Sequence, residues 1–258
     1  MKVVILAGGL GTRLGELTDI KPKPMVDIGG MPIIWHIMKI YSSYGFNDFV
    51  ICLGYKGYMI KEFFTNYYLY NSDVTIDFAN NNIDFHKSEV EPWNVSLVNT
   101  GANSLTAQRI KKIEKYTDDD TFMLTYGDGL SNVNLNDLLD FHRKKGKYAT
   151  LTAVQPEGKF GALNIDNKEF ITEFNEKPKG DNNWINGGFF VLENDVFDYI
   201  GDEDVPWERE PLESLAKDKQ LSAFKHPGFW KPMDMLKDKK ELEKMWDSGN
   251  AKWKTWND

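Results

Sequence analysis

The chain alternates short unbroken apolar runs with longer segments whose apolar residues recur every three or four positions. Val3-Val4-Ile5-Leu6 is the first such run, of the kind buried on both faces in a parallel sheet. After a glycine-rich stretch, Ile33, Ile34, Ile37, Met38 and Tyr41 share one helical face, with Pro32 suited to the first turn and Gly45 to the end. Phe49–Leu53 predicts a second strand, and the aromatic-rich segment from Tyr58 to Leu69 a second helix. Val74–Phe78 and Ile83–His86 read as strands flanking a turn at Asn80-Asn81-Asn82, a further strand ends at Val98–Gly101, and a helix is expected from Leu105 to Tyr116. Phe122–Tyr126 is an apolar strand running into Gly127-Asp128-Gly129, followed by a helix over Asn134–Lys145 and a strand over Ala149–Val154. From Gly161 to Lys177 the pattern changes to short alternating strands, and Met233, Leu236, Leu242 and Met245 among Lys and Glu predict a helix ending near Asp247.

Strand and helix in alternation define an α/β protein with a Rossmann-like, doubly wound and mostly parallel sheet, a small β excursion and a C-terminal helical segment. Ligands of such sheets sit at the carboxyl ends of the strands, so Gly8–Arg13, Thr100–Gly101 and Gly127–Gly129 should face one crevice. The length of 258 residues and 41% apolar content suit one large domain spanning 1–258. A net charge of −8 argues against a nucleic-acid partner. The single cysteine, Cys52, excludes an intramolecular disulfide and a cysteine-based zinc cluster. The opening apolar run, Val3 to Ala7, is too short for a signal peptide or membrane span, which predicts a cytoplasmic protein with no membrane partner. Trp93, Trp230, Trp246, Trp253 and Trp256 suggest aromatic contacts beyond one subunit, and hence a homo-oligomer with 161–177 and the C-terminal segment as interfaces.

The densest chemical signal is Leu6-Ala7-Gly8-Gly9-Leu10-Gly11-Thr12-Arg13-Leu14. Its glycines let the backbone approach a ligand, with amides free to point at phosphate oxygens. The spacing fits neither a Walker A loop, since no Lys-Ser/Thr follows, nor a dinucleotide fingerprint, since Leu14 stands at the third glycine position. Arg13 and Lys23 add a guanidinium fork and a point charge suited to a triphosphate whose pyrophosphate leaves. Lys21 and Lys23 each precede a proline, which predicts an extended backbone at both. Asp128, at the end of an apolar strand, suits a hard cation such as Mg²⁺. Taken alone, Asp234 reads as a helix cap, Ser104 as another, Arg109 as part of a basic helix face, and His36 as a structural histidine in an apolar helix.

The glycine loop with Lys21-Pro22-Lys23-Pro24-Met25, Tyr126-Gly127-Asp128-Gly129, Phe174-Asn175-Glu176-Lys177-Pro178 and Ile185-Asn186-Gly187-Gly188-Phe189-Phe190 resembles the sugar-1-phosphate nucleotidylyltransferases, in the family's order and over essentially the whole chain. Glu91–Val95, Leu97–Gly101 and His226–Asp234 resemble the branch that transfers a cytidylyl group from CTP to α-D-glucose 1-phosphate; Asn99 and Lys159 depart from the expected pattern. The resemblance implies a nucleotide-binding part at about 1–130 and a sugar-binding and oligomerisation part at about 131–258. It implies a nucleotide site of Leu6, Ala7, Gly8, Gly9, Leu10, Gly11, Thr12, Arg13, Lys23, Thr100, Ser104, Arg109, Gly127 and Asp128. Tyr126, Gly161, Glu176, Lys177, Asn186 and Gly187 would hold the sugar phosphate, and Asp128 with Asp234 would hold Mg²⁺. Arg13, Lys23 and Asp128 are then the catalytic candidates. UTP or dTTP in place of CTP, another hexose 1-phosphate, and a non-catalytic nucleotide-sugar-binding module remain the alternatives. A nicotinamide-dependent oxidoreductase is disfavoured by Leu14.

Overall fold

The computed structural model describes residues 1–88, 90–118, 120–156, 162–165, 169–175 and 183–256. Seven strands form the central sheet: β1 (Lys2–Ala7), β2 (Asp48–Leu53), β3 (Asn94–Asn99), β4 (Phe122–Tyr126), β5 (Ala149–Val154), β6 (Ile185–Leu192) and β7 (Leu221–His226). Their spatial order is β7-β5-β6-β4-β1-β2-β3. All neighbours run parallel except β6, which is antiparallel to both β4 and β5. The mostly parallel α/β sheet expected from the alternation is present. Neither β6 nor β7 was separated out by the hydrophobic pattern.

The first apolar run is buried on both faces. Val3, Ile5 and Ala7 join one core layer, and Val4 and Leu6 the other. Helix α1 (Glu16–Ile20) follows the glycine loop and α3 (Gly57–Tyr70) follows β2. The first layer is filled by helix α2 (Ile33–Ser42) and the apolar side of α5 (Leu135–Lys145), which present Ile33, Ile37, Leu135 and Leu138. The second is closed by α4 (Thr106–Lys111) and α6 (Glu210–Lys217) through Ala107, Ile110, Leu212 and Leu215. Asn134 caps α5 by accepting from the amides of Asn136 at 3.0 Å and Asp137 at 3.1 Å, and Gly146 ends it in the left-handed region. The helix expected over Leu105–Tyr116 is shorter: α4 stops at Lys111 and a separate 3₁₀ turn covers Glu114–Tyr116. The excursion is a ribbon of Ala162–Ile165 against Ile171–Asn175.

Three of the tryptophans named as candidates for contacts beyond one subunit pack within this one. Trp253 is fully buried and Trp246 and Trp256 partly so, and all three pack around His36 of α2 with ring centroids 4.7–6.2 Å away. They secure helix α7 (Leu236–Asp247) and the chain after it to the core of the same chain. Exposed apolar residues include Ile76, Phe78, Ile83 and Phe85, grouped on the hairpin Ser72–Asp77/Asn82–Ser88.

His36 is the satisfied structural histidine that its apolar helix suggests. Its Nε2 pairs with the Ile28 carbonyl at 2.8 Å, and Trp253 Nε1 donates to its Nδ1 at 3.4 Å. Those roles define a neutral ring, and burial depresses its pKa to about 4. Because the folded value lies below the unfolded one, the stabilisation is full above the ordinary histidine value of 6.5 and is lost as pH falls from there towards 4. The loss on reaching pH 4 is on the order of 3 kcal/mol. His36→Gln should therefore show a smaller drop in urea midpoint between pH 7 and pH 4.5 than the parent; equal drops would assign the acid sensitivity to other groups.

Candidate active site

The carboxyl ends of β1 and β4 bracket the point where strand order reverses, the usual ligand position in an open α/β sheet. From β1 the chain enters the glycine loop. A Cβ on Gly8 would lie 2.2 Å from Arg109 Nη1, and Gly11 has φ +67 with space limited by Thr18 and Lys23. The first glycine is required by close packing and the second by backbone conformation. Lys21 is extended as predicted, with its Nζ 2.5 Å from Asp27 Oδ2. Lys23 instead opens a single 3₁₀ turn over Lys23–Met25, where Pro24 sits at a position that needs no amide proton.

That turn sends the mostly buried Lys23 side chain between two acids. Its Nζ donates to Asp128 Oδ2 and, at 2.7 Å, to Asp234 Oδ1. Arg13 Nη1 donates to the other oxygen of Asp234 at 3.0 Å from an exposed position. The two acids meet because Trp230–Pro232 pairs antiparallel with Gly129–Ser131, and the Met233 amide donates to the Asp128 carbonyl at 2.8 Å. Asp234 is not the cap of α7. The Asp238 carboxylate accepts the amides of Asp234 and Met235 there, at 3.1 and 2.8 Å, which leaves the Asp234 side chain for the site.

Two adjoining cavities open at this cluster. The larger, about 660 Å³, runs along the glycine loop from Leu6 to Arg13 and past Ser104 and Arg109 to Lys23, Gly127 and Asp128. The smaller, about 190 Å³, is bounded by Arg13, Asp128, Gly187, Gly188, Trp230 and Asp234. Tyr126 and Asp128 face both. Thr100 stands behind the wall: it is fully buried, and its hydroxyl donates to Leu53 O at 2.8 Å while accepting from Arg109 Nη1 at 2.8 Å. Ser104 does not cap α4; its hydroxyl donates to the Thr100 carbonyl at 2.7 Å. Arg109 is buried and binds the loops together. Nη1 donates to Gly101 O at 2.7 Å and Leu53 O at 3.2 Å, and Nη2 to Gly8 O at 2.9 Å. Gly161, Glu176, Lys177 and Lys159 lie outside the described residues.

Sequence reading overlooked Glu208, on the wall of the larger cavity, whose carboxylate accepts from the Tyr126 hydroxyl. Burial first, and then the Glu208 charge, hold the Tyr126 phenol well above the ordinary tyrosine range, so it keeps its proton. Nothing in the local pattern around Glu208 marks it; the loop before α6 brings it to β4.

A cradle of glycines, two cations and two converging acids thus meet at the switch point of an α/β sheet. The chain belongs to the Nucleotidyl transferase family, which it matches over residues 2–238. It is 56% identical over 257 residues to the glucose-1-phosphate cytidylyltransferases of Salmonella typhi and Salmonella typhimurium, covering 99% of this chain and 100% of each relative. Among solved structures, HddC from Yersinia pseudotuberculosis superposes with a TM-score of 0.67 at 23% identity, covering 95% of this chain and 99% of that one. A UDP-glucose pyrophosphorylase complexed with UDP-glucose gives 0.68 at 18% identity, covering 96% and 98%. At those identities the two structures establish the shared fold. Among the described residues no helix is long and apolar enough to cross a membrane.

Proposed function

We propose that the chain transfers a cytidylyl group from CTP to α-D-glucose 1-phosphate, forming CDP-glucose and releasing pyrophosphate. The full-length 56% identity to glucose-1-phosphate cytidylyltransferases supports the substrates. The observation that carries the chemistry is Lys23 held between Asp128 and Asp234 where the two cavities meet. The larger cavity takes the nucleotide, with its triphosphate along the glycine loop, and the smaller takes the hexose beside Gly187 and Trp230.

A phosphate oxygen of the sugar phosphate attacks the α-phosphorus, and the bond from that phosphorus to the bridging oxygen of pyrophosphate breaks. The nucleophile is already an oxyanion, so neither a protein nucleophile nor a general base is needed. The chain must align two anions and compensate the charge growing on the leaving group. Two like charges about 4 Å apart repel by about 4 kcal/mol at an effective dielectric near 20. Lys23 and Arg13 lie where they can offset a repulsion of that size.

As those cations turn to phosphate, Asp128 and Asp234 need another positive partner. Their oxygens fit Mg²⁺, which takes one or two carboxylates and completes its shell with phosphate oxygens and water. Among the described residues no cluster of three or more His, Cys, Asp or Glu offers a cage built wholly of protein. When bound there, Mg²⁺ supplies further charge compensation on the phosphates.

Pyrophosphate release with glucose 1-phosphate, compared across CTP, UTP, dTTP, ATP and GTP, tests this reading. Release with CTP alone and its loss in EDTA are expected. Preference for another nucleotide removes the base assignment and keeps the chemistry. Release undiminished by EDTA removes the metal.

A further inference from the structure

Glu208 has no part in the phosphate chemistry, and its surroundings are built. The fully buried Trp207 anchors its loop against Phe190 of β6, with ring centroids 6.5 Å apart. The Trp207 amide donates to Thr106 Oγ1 at 2.7 Å, and Thr106 Oγ1 donates to Glu208 Oε2 at 3.2 Å. The other carboxylate oxygen, Oε1, accepts from the Tyr126 hydroxyl, which accepts in turn from Asn186 Nδ2 at 3.2 Å. The Gly188 amide donates to Asn186 Oδ1 at 2.8 Å and fixes which way that amide faces. A continuous line of hydrogen bonds thus runs from the first residue of α4 to β6, crossing the boundary between the two cavities.

A carboxylate on the wall of a pocket for a polyanion is costly unless it meets something other than phosphate. Glu208 can only accept, and the Tyr126 proton is already committed to it. What the pair offers beside Tyr126 is lone pairs, which select O–H or N–H donors over phosphate oxygens; next to the transferred phosphate those donors are sugar hydroxyls. Under the proposed activity both substrates carry such hydroxyls, on the pentose of the nucleotide and on the hexose.

We propose that Glu208 is a specificity-determining residue which, with Tyr126 oriented by it, accepts a hydrogen bond from a hydroxyl of a substrate sugar ring at the junction of the two cavities. This rests on the nucleotidyl-transfer reading of the site. Its chemistry is common to ribose and hexose, and the test separates them.

Calorimetric Kd values, with Mg²⁺ present, are compared for CTP against its 2′- and 3′-deoxy analogues. A second arm compares glucose 1-phosphate with its monodeoxy analogues in the presence of a non-hydrolysable CTP analogue. Parent, Glu208→Gln, Tyr126→Phe and the double variant are used. In one arm the parent's preference for the hydroxyl-bearing ligand should fall about tenfold in Glu208→Gln, the scale of losing a charged acceptor. Tyr126→Phe should lower the same ratio in the same arm, and the double variant should lose no more than the larger single loss. A merely structural role weakens both members of a pair alike and leaves the ratio where it was. Ratios unchanged in both arms, a parent with no preference for the hydroxyl, or losses that simply add in the double variant overturn the proposal. If Glu208→Gln does not fold, Glu208→Asp and Tyr126→Phe decide it by the same ratio. A parent that turns over CTP and glucose 1-phosphate while these ratios stay fixed retains the proposed activity and loses this inference alone. A parent that discriminates as expected but releases no pyrophosphate does the reverse.

Discussion

Lys23→Ala is expected to lower kcat/KM by about a thousandfold while the protein stays folded, the scale seen when one preorganised charge-stabilising donor is removed. Lys23 is placed by a turn, packed against Gly11 and largely shielded from solvent, so its ammonium meets charge developing on phosphate with little reorganisation. Lys23→Arg should not restore the rate, because a planar fork cannot take the place of one point charge between two carboxylates. The same alanine variant should bind Mg²⁺ at least as tightly as the parent in calorimetry. Removing Lys23 leaves Asp128 and Asp234 without the cation that now neutralises them. Slower turnover with undiminished metal binding separates loss of a phosphate cation from collapse of the acidic pair. Near-normal turnover in the alanine variant would remove Lys23 from the mechanism.

Arg109→Met should cost about 3–5 kcal/mol of stability, because several buried hydrogen bonds donated by one charged group are lost at once and each is worth about 1.5–3 kcal/mol. Its hydrogen bonds go to neutral oxygens: the Gly101 carbonyl takes its donor from this guanidinium, while the Gly8 and Leu53 carbonyls keep the Tyr55 and Thr100 amides when it is removed. Thermal unfolding should begin about 10 °C lower, given about 2–4 °C per kcal/mol for a chain of this size. The glycine loop, held at Gly8 by the Tyr55 amide but no longer by the guanidinium, should also raise KM for the nucleotide. A variant as stable as the parent but unable to bind nucleotide would make Arg109 chiefly a ligand contact, as its place among the expected nucleotide residues implies. A loss of both would make it the clamp described by its hydrogen bonds.

Much of this molecule was legible along the chain wherever a property is local. An unbroken apolar run such as Val3–Leu6 can satisfy its backbone and bury both faces only inside a sheet, and β1 does so. Asn134 and Gly146 carry the start and stop of α5 in their own chemistry. The glycine loop, Lys23 and Asp128 were recognisable because they are compact motifs beside strand ends. Local rules failed where tertiary contact outweighed them. Lys23 took up a turn despite the following proline, and Asp234 gave its expected capping role to Asp238. Of the tryptophans read as candidates for subunit contacts, Trp246, Trp253 and Trp256 pack around His36 within the chain, where a buried neutral ring at the centre of α2 gives them a shared anchor.

Sequence alone therefore determined the alternating α/β plan, the glycine loop and the identity of the charged groups, since each depends on neighbours a few residues apart. Only the tertiary structure decided which charges meet. The ribbon joining Gly129–Ser131 to Trp230–Pro232 sets Asp234 beside Asp128, and the loop holding Trp207 sets Glu208 against Tyr126. Such pairings follow from backbone hydrogen bonds and buried anchors between distant segments, and no local periodicity encodes the distance between their side chains.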